Sequence, residues 1–97
     1  MTTNESLTEQ ELQRLREISI FDILNVPDRG RRVGIPCPIH DGRNPNFNLY
    51  PNNSYYCFKC CAHGSNGIDL IRDLKGFPKR MNRDQFLIVV QELINYI

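Results

Sequence analysis

The sequence predicts an α+β fold: a small antiparallel sheet with flanking helices. Three observations carry this. Short runs rich in aromatic and branched residues alternate with turn signals in the middle of the chain. Apolar residues recur at helical spacing on both sides of that middle. Two pairs of metal-ligating residue types sit inside it, and each pair flanks two intervening residues.

The first element is helical. Thr8 and Glu11 form a capping pair, and Leu12, Leu15 and Ile18 then share one face, which predicts an amphipathic helix over 8–18. Residues 1–5 carry no such pattern and are expected to be disordered. Ser19 is placed to cap a short helix from Ile20 to Leu24, stopped by Pro27. A basic loop containing Gly30 follows, from Asp28 to Arg32.

The strands come next. Val33 to Ile35, Phe47 to Tyr50 and Tyr55 to Phe58 have strand composition, and Asp41-Gly42 and Pro51-Asn52-Asn53 supply turns between them. The second turn predicts a hairpin over 47–58. Ser65 is placed to cap a third helix whose inner face is Ile68, Ile71 and Leu74, ended by Gly76 and Pro78. Asn82 with Gln85 caps a fourth, striped by Phe86, Val89, Val90, Leu93, Ile94 and Ile97. That stripe serves core packing, on the ribbon, or a partner surface. The boundaries implied are an acidic N-terminal segment over 1–18, a metal-binding unit over 19–76 and a C-terminal amphipathic helix over 77–97.

Composition bounds the rest. The chain has 97 residues, room for one small domain, and is 40% hydrophobic and 24% charged. Its longest apolar run, Phe86 to Val90, is far too short for a bilayer, and no signal-peptide pattern opens it, so a cytoplasmic protein is expected. The net charge of +1 conceals a strong polarity: residues 1–28 carry two basic and six acidic side chains, residues 29–83 ten basic and three acidic, and residues 84–97 two acidic ones only. The basic middle suits an anionic partner, nucleic acid being the commonest; a solvated basic face is the alternative.

Cys37-Pro38-Ile39-His40 and Cys57-Phe58-Lys59-Cys60 are separated by sixteen residues. Two ligands three apart on a tight knuckle can point at one ion, and a second knuckle on a hairpin completes a tetrahedron. Three thiolates and an imidazole fill every position of a Zn²⁺ ion and leave none for activated water. The site is therefore predicted to be structural. Cys61 reads as a spare thiol. His63 could replace a ligand only by breaking the second pair, and four cysteines would better suit an iron–sulfur cluster.

Around these residues the sequence resembles a known family. Cys37-Pro38-Ile39-His40-Asp41, Asn44-Pro45-Asn46-Phe47, Tyr55-Tyr56-Cys57-Phe58-Lys59-Cys60, Ala62-His63-Gly64 and Gly67-Ile68-Asp69-Leu70-Ile71 look like the N-terminal zinc-binding domain of bacterial-type (DnaG-type) DNA primases, over residues 19–75. The resemblance implies a zinc ribbon with Cys37, His40, Cys57 and Cys60 as ligands, single-stranded DNA template as partner, and a primase polymerase domain beside it as protein partner. It departs at Cys61, where the family usually has a glycine or another small residue. It also departs in lacking, within these 97 residues, the acidic magnesium-binding polymerase domain. The chain is thus predicted to be a non-catalytic module, with no membrane partner and no small-molecule substrate. No nucleophile–base pair, open metal site or phosphate loop is visible in the sequence.

Cationic grooves and aromatic platforms hold single strands. The candidate contacts are Arg31, Arg32, Arg43, Tyr55, Phe58 and Lys59, with Arg29, Phe47, Tyr50 and Tyr56 nearby. Strand alternation puts Tyr55 and Cys57 on one face and Tyr56 and Phe58 on the other, so one set must be core. Arg72, Lys75, Lys79 and Arg80 form a second basic cluster. A protein-interaction adaptor that docks onto a helicase or polymerase is the competing function, favoured by the acidic N-terminal helix and the apolar stripe of the last helix.

Overall fold

The computed structural model describes residues 8–40 and 42–96. Helix α1 spans Glu9–Arg16 and opens with the expected capping box: the Thr8 hydroxyl accepts from the Glu11 N–H, and Glu11 accepts from the Thr8 N–H. Helix α2, Ile20–Ile23, is capped by Ser19. It ends before Pro27. Asn25 takes a left-handed φ of 57°, the Asn25 N–H donates to Asp22 and the Val26 N–H donates to Phe21, a Schellman closure with asparagine in the usual glycine place.

Strands β1 (Val33–Ile35), β2 (Phe47–Leu49), β3 (Tyr55–Cys57) and β4 (His63–Gly64) form one antiparallel sheet in chain order. The predicted hairpin is β2–β3, in register Phe47↔Cys57 and Leu49↔Tyr55. Strand β4 was not foreseen; two residues carry no periodicity to read. The Asp41 half of the first expected turn, residues 1–5 and Ile97 lie outside the described residues.

Helix α3, Gly67–Leu74, is capped by Asn66 and not by Ser65, because it is the Asn66 side chain that accepts from the Asp69 N–H. Gly76, at φ 73°, closes it as a second Schellman motif, with Phe77 donating to Arg72 and Gly76 to Asp73. Helix α4, Arg83–Ile94, has a capping box between Asn82 and Gln85.

The core falls into two clusters. One lies under the sheet and holds Ile20, Phe21, Cys37, Phe47, Leu49, Tyr55, Cys57 and Leu70. The other is helical and holds Leu15, Ile18, Ile68, Ile71, Val89, Val90 and Leu93. Helix α3 serves both through opposite sides. The C-terminal helix accordingly packs on α1 and α3, where the sequence had offered the ribbon or a partner, and a Lys75–Glu92 ion pair of 3.2 Å ties α3 to α4. Of the stripe on α4, Val89, Val90 and Leu93 are buried, Phe86 is partly so, and Ile94 is exposed. No helix among the described residues is long and apolar enough to cross a membrane.

Candidate metal centre and nucleic-acid face

The two knuckles converge. β1 runs into Cys37, and the hairpin delivers Cys57 at the end of β3. The ligand atoms of Cys37, His40, Cys57 and Cys60 all lie within 4.8 Å of one another. The Cys37 and Cys60 sulfurs are 3.9 Å apart, and so are the Cys57 sulfur and His40 Nδ1. A tetrahedral zinc with Zn–S of ~2.3 Å and Zn–N of ~2.0 Å sets such atoms ~3.5–3.8 Å apart, close to these two distances, so the donor set suits a zinc ion.

The backbone prepares the sulfurs for charge. Ile39 donates to Cys37 Sγ at 3.4 Å, and Lys59 and Cys60 both donate to Cys57 Sγ at 3.4 Å. Burial pushes the Cys57 thiol up, but the Cys60 and Lys59 N–H groups outweigh it and hold it below its ordinary range. Burial dominates at Cys37 and pushes it up to about 11, against the pull of the His40 and Ile39 N–H groups. A divalent cation reverses that balance, since a coordinated thiol loses its proton outright. The imidazole packs closely over Gly42. A Cβ on Gly42 would lie 2.7 Å from His40 Nε2, so a larger residue there would push against the ring, whose Nδ1 faces the Cys57 sulfur at 3.9 Å.

Cys61 and His63 stand outside this cluster. Cys61 is exposed, with a left-handed φ of 65°, and its thiol meets the Tyr56 hydroxyl, which holds that phenol above its ordinary range. His63 Nδ1 lies 2.9 Å from the Cys61 carbonyl and Nε2 lies 3.5 Å from Lys79 Nζ.

The expected nucleic-acid contacts divide. Tyr55 does not belong with them: it is 1% exposed, stacks on Phe47 at 5.4 Å, and its hydroxyl donates to Asp73 at 2.6 Å. Burial and the Asp73 carboxylate push its phenol well above the usual range. Alternation along β3 makes Tyr55 and Cys57 the core pair, because Cys57 must face the other ligands. Arg72 of the second basic cluster is likewise spent inside. It is 7% exposed and paired with Asp69 at 3.0 Å and Asp73 at 3.1 Å. Burial lowers its basicity, but the two carboxylates more than restore it.

Arg31, Arg32, Arg43, Phe58 and Lys59 remain exposed, and Phe58 is 63% so. The sheet's outer face carries Gly34, Asn48, Tyr56 and His63 in one row across the four strands. Tyr56 stacks on His63 at 5.9 Å and meets Phe58 at 5.3 Å. An open groove of about 480 Å³ runs alongside, lined in part by Tyr50, Tyr56, His63 and Lys79. Sequence reasoning ranked Tyr56 behind Tyr55 and weighed His63 only as a ligand; the alternation held the signal for the first, and nothing local announced the second.

No solved structure matches the chain significantly. Two curated DNA primases, from Chlamydia trachomatis serovar D and Chlamydia muridarum, are each 32% identical to it over 76 residues. That stretch is 72% of this chain and only 13% and 12% of theirs, so the chain spans a small fraction of their length. The CHC2 zinc-finger family, the zinc ribbon of DnaG-type proteins, matches residues 7–95, which include both outer helices. The chain belongs to the DnaG-type CHC2 zinc-finger family.

Proposed function

We propose that this chain is a primase-type zinc-binding module that holds single-stranded DNA template during primer initiation and has no polymerase activity of its own. Cys37, His40, Cys57 and Cys60 hold one structural Zn²⁺, which fixes the hairpin. The observation that carries the reading is the aromatic row on the outer sheet face, Tyr56 between Phe58 and His63, flanked by Arg32 on one side and Lys79 on the other. Bases stack on such rings for ~1–3 kcal/mol each, and cations beside them attract the anionic strand. Arg31, Arg43 and Lys59 widen the positive rim. The module works where thiols stay reduced, in the cytoplasm.

Fluorescence anisotropy with labelled oligonucleotides tests it. Zinc-loaded protein should bind single strands with an affinity that falls as salt rises. Tyr56→Ala and Phe58→Ala should each weaken binding about ten-fold, with the metal retained. Absence of salt-dependent binding at low ionic strength would reject the reading.

A second reading, docking onto a helicase or polymerase domain, is favoured by the exposed Leu74, Ile88, Ile94 and Tyr96 on the helical side. It leaves the sheet face free, so the two can coexist.

A further inference from the structure

Arg32 differs from its basic neighbours in being anchored. It lies just before β1, and its Nη1 donates to the Asn48 side-chain oxygen. Asn48 is 1% exposed on the sheet's polar face, and its amide nitrogen donates to the Asn46 carbonyl at 3.0 Å. Both ends of that amide are therefore committed, and the arginine is held by a buried, immobile acceptor. Among the described residues no carboxylate pairs with Arg32, so the Nε–Nη2 edge of its guanidinium remains for a ligand.

A charge that only follows phosphates needs no such anchor; a long flexible side chain serves equally well. A fixed planar fork is useful where an edge with two acceptors must be met in one geometry. The position fits a base. Asn48 is the cross-strand partner of Tyr56, so the anchor sits one strand, ~4.8 Å, from the half-buried ring on which a base would stack. A purine on Tyr56 reaches further across β2 than a pyrimidine does, and of the two purines of DNA only guanine presents two acceptors, O6 and N7, on one edge.

We infer that Arg32 reads a guanine stacked on Tyr56, while the unanchored Arg31 holds phosphate. This rests on the single-stranded DNA reading above and adds base preference to it.

The test uses the zinc-loaded full chain and oligothymidylates carrying one central guanine, adenine or cytosine. The guanine oligonucleotide should bind on the order of ten-fold more tightly than the others. Inosine in its place should keep the gain, since it retains O6 and N7, and 7-deazaguanine should lose it. Those two arms need no altered protein. Arg32→Lys keeps the charge and should abolish the guanine preference, so that the guanine and cytosine oligonucleotides bind alike, with metal content reporting that the fold survives. Arg31→Ala should weaken every oligonucleotide alike and flatten the salt dependence while preserving the preference. Equal binding of guanine and cytosine, or indifference to 7-deazaguanine, would overturn the inference and leave the template reading standing. Failure to bind any oligonucleotide would remove both.

Discussion

Cys61 occupies a left-handed conformation, at φ 65°, that an L-residue adopts at a cost of roughly 1–2 kcal/mol. The cause is the second knuckle. The chain must turn back after Cys60 so that Ala62 can accept from the Cys57 N–H, and the Cys61 N–H closes the turn onto the Cys57 carbonyl at 2.9 Å. Cys61→Gly should therefore raise the stability of the zinc-loaded protein by about 1 kcal/mol, read as a shift in the denaturant midpoint with an unchanged slope. An unchanged or lower midpoint would mean that the Tyr56 contact offsets the strain. This position was legible in the sequence, because the resemblance sets a small residue where a cysteine stands. Tyr55 and Tyr56 were legible only as a pair: alternation separates them, and only the direction in which Cys57 must face says which is core. Arg72 was not legible at all. Its partners Asp69 and Asp73 lie on its own helix, and nothing local distinguishes that pattern from an exposed one.

Among the elements, the hairpin turn does more than reverse the chain. Asn53, at φ 76°, directs its side chain back onto the junction between α1 and α2. Its oxygen accepts from the Ile20 N–H at 2.8 Å, and its amide donates to the Arg16 and Ile18 carbonyls at 3.1 and 3.0 Å. One side chain thus satisfies the end of one helix and the start of the next, from a site more than thirty residues away in sequence. Asn53→Ala loses these bonds and leaves alanine in a left-handed conformation, so a loss of about 2–4 kcal/mol is expected in chemical denaturation. Asn53→Gly relieves the backbone but not the bonds, and should fall between the two. Equal losses for both variants would assign the effect to the hydrogen bonds alone. Turn chemistry announced the hairpin from Pro51-Asn52-Asn53; the long-range bonds could not be read, since they depend on where the helices lie. The helix caps at Thr8, Ser19 and Asn82 were readable because both partners sit within three residues. The cap at Asn66 was assigned to its neighbour because either residue type serves.

For the whole molecule, stability is divided unequally between its two cores. Beneath the sheet, Cys37 and Cys57 are both core residues and members of the cluster that could hold a metal ion, so apolar packing and the proposed metal binding would share the same atoms. Structural zinc contributes on the order of 10–16 kcal/mol in such sites, comparable with the entire stability expected of a domain this size. A strong chelator should abolish the cooperative thermal transition of the sheet, followed by near-ultraviolet circular dichroism of the tyrosines, and added Zn²⁺ should restore it. A transition that survives metal removal, with no stoichiometric metal by elemental analysis, would contradict the structural role. The α+β class, the ligand spacing and the basic middle were all legible, because each rests on short-range pattern. The split into two clusters was not, because it depends on how α4 crosses α1 and α3.

The split also sets an order of assembly. Every residue of the cluster beneath the sheet has been translated once Leu70 leaves the ribosome, and a captured ion can close it then. The helical cluster joins Leu15 and Ile18 to Val89, Val90 and Leu93 across most of the chain, and it must wait for synthesis to reach them. A nascent chain halted between those points would carry a finished ribbon beneath an open apolar flank. That half-built species is the one most exposed to aggregation during biosynthesis.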